Sequence, residues 1–97
     1  VMKEQEFLHL IRLDRATLTV WIEEAWLSPS EREGERVFEE VDLARARLIL
    51  DLKQELGVND QGVGVILHLV DQVHGLRSAM RDLLGSMHEK SGAERDQ

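Results

Sequence analysis

Residues 14–38 read DRATLTVWIEEAWLSPSEREGERVF, and the reading of that stretch decides the fold. Asp14 suits the N-cap of a helix that carries Leu18, Trp21, Ile22 and Ala25. Ser28-Pro29-Ser30 stops that helix, because proline lacks the amide proton a helix interior needs. Residues 31–36 are charged around Gly34, a turn signal, and form a hairpin-like loop. Arg36-Val37-Phe38 is the one strand-like stretch, and it is very short.

Upstream, Phe7, Leu8, Leu10 and Ile11 cluster at helical spacing and predict a short first helix ending near Arg12. Downstream, a third helix is expected from Val41 or Asp42 to Leu56, with Gly57 as terminator. Val41, Ala44, Leu48, Ile49, Leu52 and Leu56 share one of its faces, and Leu43, Ala46 and Leu50 lie roughly opposite. A helix apolar on two sides is normally buried between elements. Asn59 then caps a fourth helix that should reach Ser86–His88.

The fourth helix changes character along its length. Ile66, Leu69, Val73, Leu76, Met80, Leu83 and Met87 alternate by three and four, a heptad seam. Val63, Leu67 and Val70 add a second apolar stripe to the first half alone. The first half can therefore pack on its own domain, while the narrow seam of the second half suits another helix like itself. Packing within the chain would leave Leu76 to Met87 uncovered, so a homodimer with a coiled-coil-like contact is expected. Residues 89–97 are polar and are expected to fray.

Composition agrees with a mainly α domain. The chain has 97 residues, enough for one modest core. Four aromatics and one proline are poor material for a β-sandwich. The absence of cysteine excludes disulfides, thiolate zinc sites and cysteine nucleophiles. The apolar run from Val63 to Val70 is broken by Gly64 and His68 and is too short to span a bilayer. Residues 1–5 hold no signal-peptide core, so a cytoplasmic location and no membrane association are expected. The net charge is −7, and residues 1–40 carry five basic against ten acidic residues.

The order short helix, turn, second helix, small wing and further helix resembles the MerR-type winged helix-turn-helix. Trp21-Ile22-Glu23-Glu24-Ala25-Trp26-Leu27-Ser28-Pro29 is similar to the tyrosine-glutamate-glutamate stretch of that group, which leads to leucine and proline. Arg36-Val37-Phe38 resembles the arginine-x-aromatic of its wing. Further on stand Asp42-Leu43-Ala44-Arg45, Glu55-Leu56-Gly57-Val58-Asn59, Gly62, Leu67 to Val73, and Leu76-Arg77. Their order and spacing over about residues 6–84 resemble the CbpM family, the chaperone-modulator branch of the MerR-like group. His68 and Gln72 stand where that family usually has acids. Taken with the length and the helix pattern, this gives a single domain over 1–97: a winged helix-turn-helix-like part over about 6–58, a long C-terminal helix over about 59–88, and the frayed tail 89–97. The resemblance also implies a function, binding and inhibition of the J-domain of a CbpA-type co-chaperone.

The residues themselves favour a protein partner over DNA. Lysine and arginine neutralising phosphates supply sequence-independent DNA affinity. The second helix offers Arg15 alone against Asp14, Glu23 and Glu24, and Val20 stands where MerR-type DNA binders carry an arginine. The wing has Glu31, Glu33 and Glu35 against Arg32 and Arg36. Direct DNA binding is therefore not expected, and a DNA-binding dimeric regulator is the alternative reading. J-domains present a basic helix to their Hsp70 partner, so Glu23, Glu24 and Asp71 are candidate J-domain-binding acids. Trp21 reads as core. Trp26, beside Leu27 at the helix end, reads most simply as core or half-buried, and it is also the candidate apolar anchor of the J-domain surface. His68, Asp71 and His74 spread over about 120° of helix and do not converge on one metal. Gly62-Val63-Gly64 lacks the preceding strand and following lysine of a phosphate loop. No catalytic group, metal or cofactor is expected.

Overall fold

The chain begins with two residues of strand, β1 (Met2–Lys3), and turns directly into helix α1 (Glu4–Ile11). Helix α2 (Arg15–Glu23), strands β2 (Ser30–Arg32) and β3 (Glu35–Phe38), helix α3 (Glu40–Leu50), a π-helical segment (Asp51–Glu55) and helix α4 (Asp60–Arg95) follow. This computed structural model describes the backbone of residues 1–95 and the side chains of residues 1–89. The chain divides into two compact units, residues 1–64 and 65–97, and the division falls inside α4. The fold is mainly α, a helix-turn-helix with a small wing and a long C-terminal helix.

The wing is larger than the sequence suggests. β3 is the centre of a three-stranded antiparallel sheet, with Met2 opposite Phe38 on one side and Ser30 opposite Val37 on the other. β1 and β2 carry no strand signal in the sequence, because runs of two and three residues are too short to show alternation. The β2–β3 loop places both Glu33 (φ 53°) and Gly34 (φ 78°) in the left-handed region. That geometry matches the right-handed twist of a hairpin.

Helix α2 stops earlier than expected. It ends at Glu23, and Ala25 (φ 61°) is already left-handed. The Trp26 amide donates to the Trp21 carbonyl and the Ala25 amide to the Ile22 carbonyl. Those two bonds are a Schellman ending, and its usual hydrophobic contact is present as the Trp21–Trp26 ring pair, 6.2 Å between centroids. The position that favours glycine holds alanine, so the stop carries no sequence signal, and the proline lies four residues further on.

The third helix also departs from a regular α-helix. At Asp51 it widens into π geometry, with the Leu56 amide donating to the Asp51 carbonyl five residues back. The buried side chains are Ala46, Ile49 and Leu52, whereas Val41 (68% exposed) and Leu56 (71%) face solvent. The face expected from a constant 100° per residue is therefore corrected at both ends. Ala46, assigned to the opposite side, is fully buried on the helix that packs against α1.

The core of residues 1–64 is built from the helices, β3 and the turn after α2. Phe7 of α1 stacks on Phe38 of β3, with centroids 4.1 Å apart and rings 10° from parallel. Leu18 and Trp21 from α2, Leu27 from the following turn, Ile49 from α3 and Val63 from the start of α4 complete it. The Leu56–Asn59 turn is chemically specific. Gly57 takes φ 63°, and Asn59 Oδ1 accepts the Gly62 amide at 2.8 Å to cap α4. A Cβ on Gly62 would stand 2.7 Å from Val58 Cγ1, which explains a glycine at that spacing. Beyond residue 88 the backbone stays helical through Arg95, so the expected fray over 89–97 is not the conformation of residues 89–95; residues 96–97 lie outside the described part.

Candidate functional site

In a helix-turn-helix the second helix is the one presented to a partner, and here that helix is α2. Its inward side carries Leu18 and Trp21, both buried. Its outward side carries Ala16, Val20, Glu23 and, at the C-cap, Glu24, all exposed. At 100° per residue these four fall within about 100° of arc. Glu23 and Glu24 have no ion-pair partner among the described residues. At the start of the helix Asp14 stands at the cap position, as expected, but its carboxylate accepts a hydrogen bond from Thr17 Oγ1 rather than from a backbone amide. That donated proton holds the Asp14 carboxyl below the usual aspartate range.

The cations nearest this surface are already engaged. Glu4, at the start of α1, accepts Arg15 Nε of α2 at 3.2 Å with one carboxylate oxygen. Its other oxygen takes Arg36 Nη1 of β3, also at 3.2 Å. Lys3 Nζ lies 4.0 Å from Glu35. One carboxylate thus ties together the arginine of the second helix and one of the wing's two arginines, while Arg32 on β2 is exposed. Nothing in the sequence pattern pointed to Glu4, since it lies 32 residues from Arg36.

Trp26 does not belong to this surface. It is 5% exposed, and its placement follows from the left-handed turn at Ala25. Arg45 Nε donates to its backbone carbonyl, Lys53 Nζ lies 5.6 Å from its ring centroid, and the Cα of Gly64 faces its indole nitrogen closely enough that an added Cβ would stand 3.8 Å away. Lys53 also pairs with Asp60. A side chain enclosed in this way stabilises the fold and cannot meet a partner without rearrangement, so the anchor assignment is corrected to the core reading. Asp71 is exposed, but it is engaged in an interaction of its own and is not a free acid. The candidate residues therefore separate: Glu23 and Glu24 lie together on α2, Trp26 lies in the core, and Asp71 lies on α4.

The seam residues Leu69, Val73, Leu76, Met80, Leu83 and Met87 are 46–66% exposed, and Ile66 is half-buried. His68 and His74 are exposed, and among the described residues no three acidic or histidine side chains gather into a metal site. No helix of the described residues is long and apolar enough to cross a membrane.

A family model described as MerR HTH family regulatory protein matches residues 2–84. No curated protein and no solved structure matches the chain.

Proposed function

Since the chain belongs to the MerR HTH family of regulatory proteins, we propose that its regulatory target is a protein: it is a non-catalytic chaperone modulator of the CbpM type. In this reading it binds the J-domain of a CbpA-type co-chaperone and covers the surface that engages Hsp70. It acts as a homodimer in which the α4 seams of two copies cover each other, because six seam positions stand open to solvent in one copy.

The observation that carries the reading is the inverted electrostatics of the helix-turn-helix. The outward face of α2 presents two carboxylates with no ion-pair partner among the described residues, while Arg15 and Arg36 both pair with Glu4. Phosphates would meet like charge on α2 and on the glutamates of the wing. A basic helix would meet opposite charge, which raises the association rate and fixes orientation. The sequence motifs that resemble CbpM supply the identity of the partner.

A second reading, a DNA-binding regulator, is favoured by the helix-turn-helix and wing themselves, since the fold is shared with DNA readers. Two titrations separate them. Calorimetry with the isolated J-domain of a CbpA-type co-chaperone should give saturable heat. Fluorescence anisotropy with a duplex at about 150 mM salt should show binding weaker than the 10⁻⁴–10⁻⁶ M common for non-specific sites. No heat with the J-domain together with submicromolar duplex binding would reverse the order of the two readings.

A further inference from the structure

We infer that the docking surface is the outward face of α2 and that Val20 is its apolar anchor, with a basic protein helix as occupant. This inference rests on the functional reading above and adds to it the place of contact.

A lone exposed valine is ordinary on a protein surface. Its neighbours make this one informative. Val20 is 48% exposed near the middle of the face. One turn before it Ala16 is exposed and adds almost no bulk, so the valine stands above a flat shelf. One turn after it, at three and four residues, come Glu23 and Glu24, whose carboxylates have no described ion-pair partner. An apolar centre bounded by free charges of one sign is the layout of a small interface core with a polar rim.

The same face is ill suited to nucleic acid. A valine offers no hydrogen bond to a base edge, and the two carboxylates repel phosphates. Arg15, the cation of this helix, points about 120° away from the centre of the face and is tied to Glu4. Charge complementarity therefore selects a cationic partner, and the helical row of one apolar side chain between small and acidic neighbours fits a second helix laid across it. Trp26 cannot serve as the anchor because the core already holds it.

The test is stopped-flow and calorimetric titration of the full chain with the isolated J-domain of a CbpA-type co-chaperone, across a range of salt. Val20→Ala should leave the melting temperature unchanged or slightly higher, since alanine is the better helix former. It should raise the dissociation rate about tenfold with little change in association, as an apolar anchor does. Glu23→Gln with Glu24→Gln should instead slow association and flatten its salt dependence. Both results together support the inference. If the unmodified chain binds the J-domain and both variants bind within twofold of it, the docking surface is overturned while the function stands. If the unmodified chain does not bind the J-domain, the functional reading falls and this inference falls with it. A duplex that displaces the J-domain from the unmodified chain would overturn the choice of occupant.

Discussion

Val63 and Leu76 lie in the same helix, one fully buried and the other 66% exposed. Residues 1–64 enclose most of their large apolar side chains: both tryptophans, both phenylalanines and Ile49 are buried, while Leu10, Val20, Val41 and Leu56 are exposed. Beyond Val65 the same helix carries leucines and methionines at regular heptad spacing and leaves them open to solvent. A contiguous exposed apolar row of that kind is the feature the proposed dimer rests on, since scattered exposed apolar residues are ordinary. The first unit completes its core from its own chain, and the second has its pattern without the covering element.

The largest effect should come from breaking that second pattern. Leu76→Asp would place an unpaired charge in the seam of the proposed dimer, at a cost of about 3 kcal/mol or more if two copies bury it. Light scattering and analytical ultracentrifugation at micromolar concentrations should show the unmodified chain as a dimer and the variant as a monomer. A monomeric unmodified chain, or a dimer indifferent to the change, would remove the seam from the proposed dimer contact. Neither outcome would alter residues 1–64, whose core does not use Leu76.

Breaking the first pattern should cost a comparable amount, in a different observable. Trp26→Ala empties a buried site and should lower stability by about 3–5 kcal/mol, a large part of the 5–15 kcal/mol typical of a domain. Chemical denaturation followed by circular dichroism would read this as a large drop in midpoint. A variant with unchanged stability but lost J-domain binding would restore Trp26 as an interface residue. The two tryptophan roles are thus distinguished by which measurement moves.

The elements with strong local chemistry were legible in the sequence, and those set by long-range packing were not. The first helix, the terminator Gly57 and the cap Asn59 stand where residue type alone places them. The heptad seam was legible as a pattern, and so was the exposure of Glu23 and Glu24 from their place on the helix. The end of α2 was not, because the left-handed residue is alanine and the structure around it, not its propensity, sets φ. The buried face of α3 was not legible at Val41 and Ala46, because a helix apolar on two sides leaves the choice of inward face to packing, and past Asp51 the π segment shifts the angular step and leaves Leu56 exposed. Glu4 was invisible as a site residue for a related reason: its two arginines come from α2 and β3, and only the folded chain brings them to one carboxylate. The engagement of Asp71 could not be read from its helix position either.

The turn at Ala25 offers a way to sharpen the account of the first unit rather than break it. An L-residue in the left-handed region costs about 1–2 kcal/mol, and glycine avoids it while losing more backbone entropy on folding. Ala25→Gly should therefore stabilise the chain by about 1 kcal/mol or less. Thermal melts should show a rise, with J-domain binding unchanged because Val20, Glu23 and Glu24 keep their helix. A fall in melting temperature would mean that the alanine methyl packs usefully and that the turn is not a strained stop.

The smallest effect should appear on the wet side of the same unit, at the start of α2, where burial plays no part. Thr17 Oγ1 donates to the exposed Asp14 carboxylate, and this hydrogen bond favours the ionised form. A carboxyl whose pKa is lower in the folded chain contributes stability above its unfolded pKa, about 3.9 for aspartate. That contribution is lost as the pH falls through the folded value. Thr17→Val keeps the branched shape and removes the donor, so the Asp14 carboxyl should titrate closer to the ordinary aspartate value. Carbon-detected NMR titration of the Asp14 carboxyl reads this directly. The stability difference between Thr17→Val and the unmodified chain should be present at neutral pH and should fade in acid as Asp14 becomes protonated. It should be far smaller than the loss from Trp26→Ala, because an exposed pair competes with water at every step. An Asp14 titration unmoved by Thr17→Val would mean that the backbone amides of the first turn, rather than the threonine hydroxyl, hold the carboxylate in its charged form.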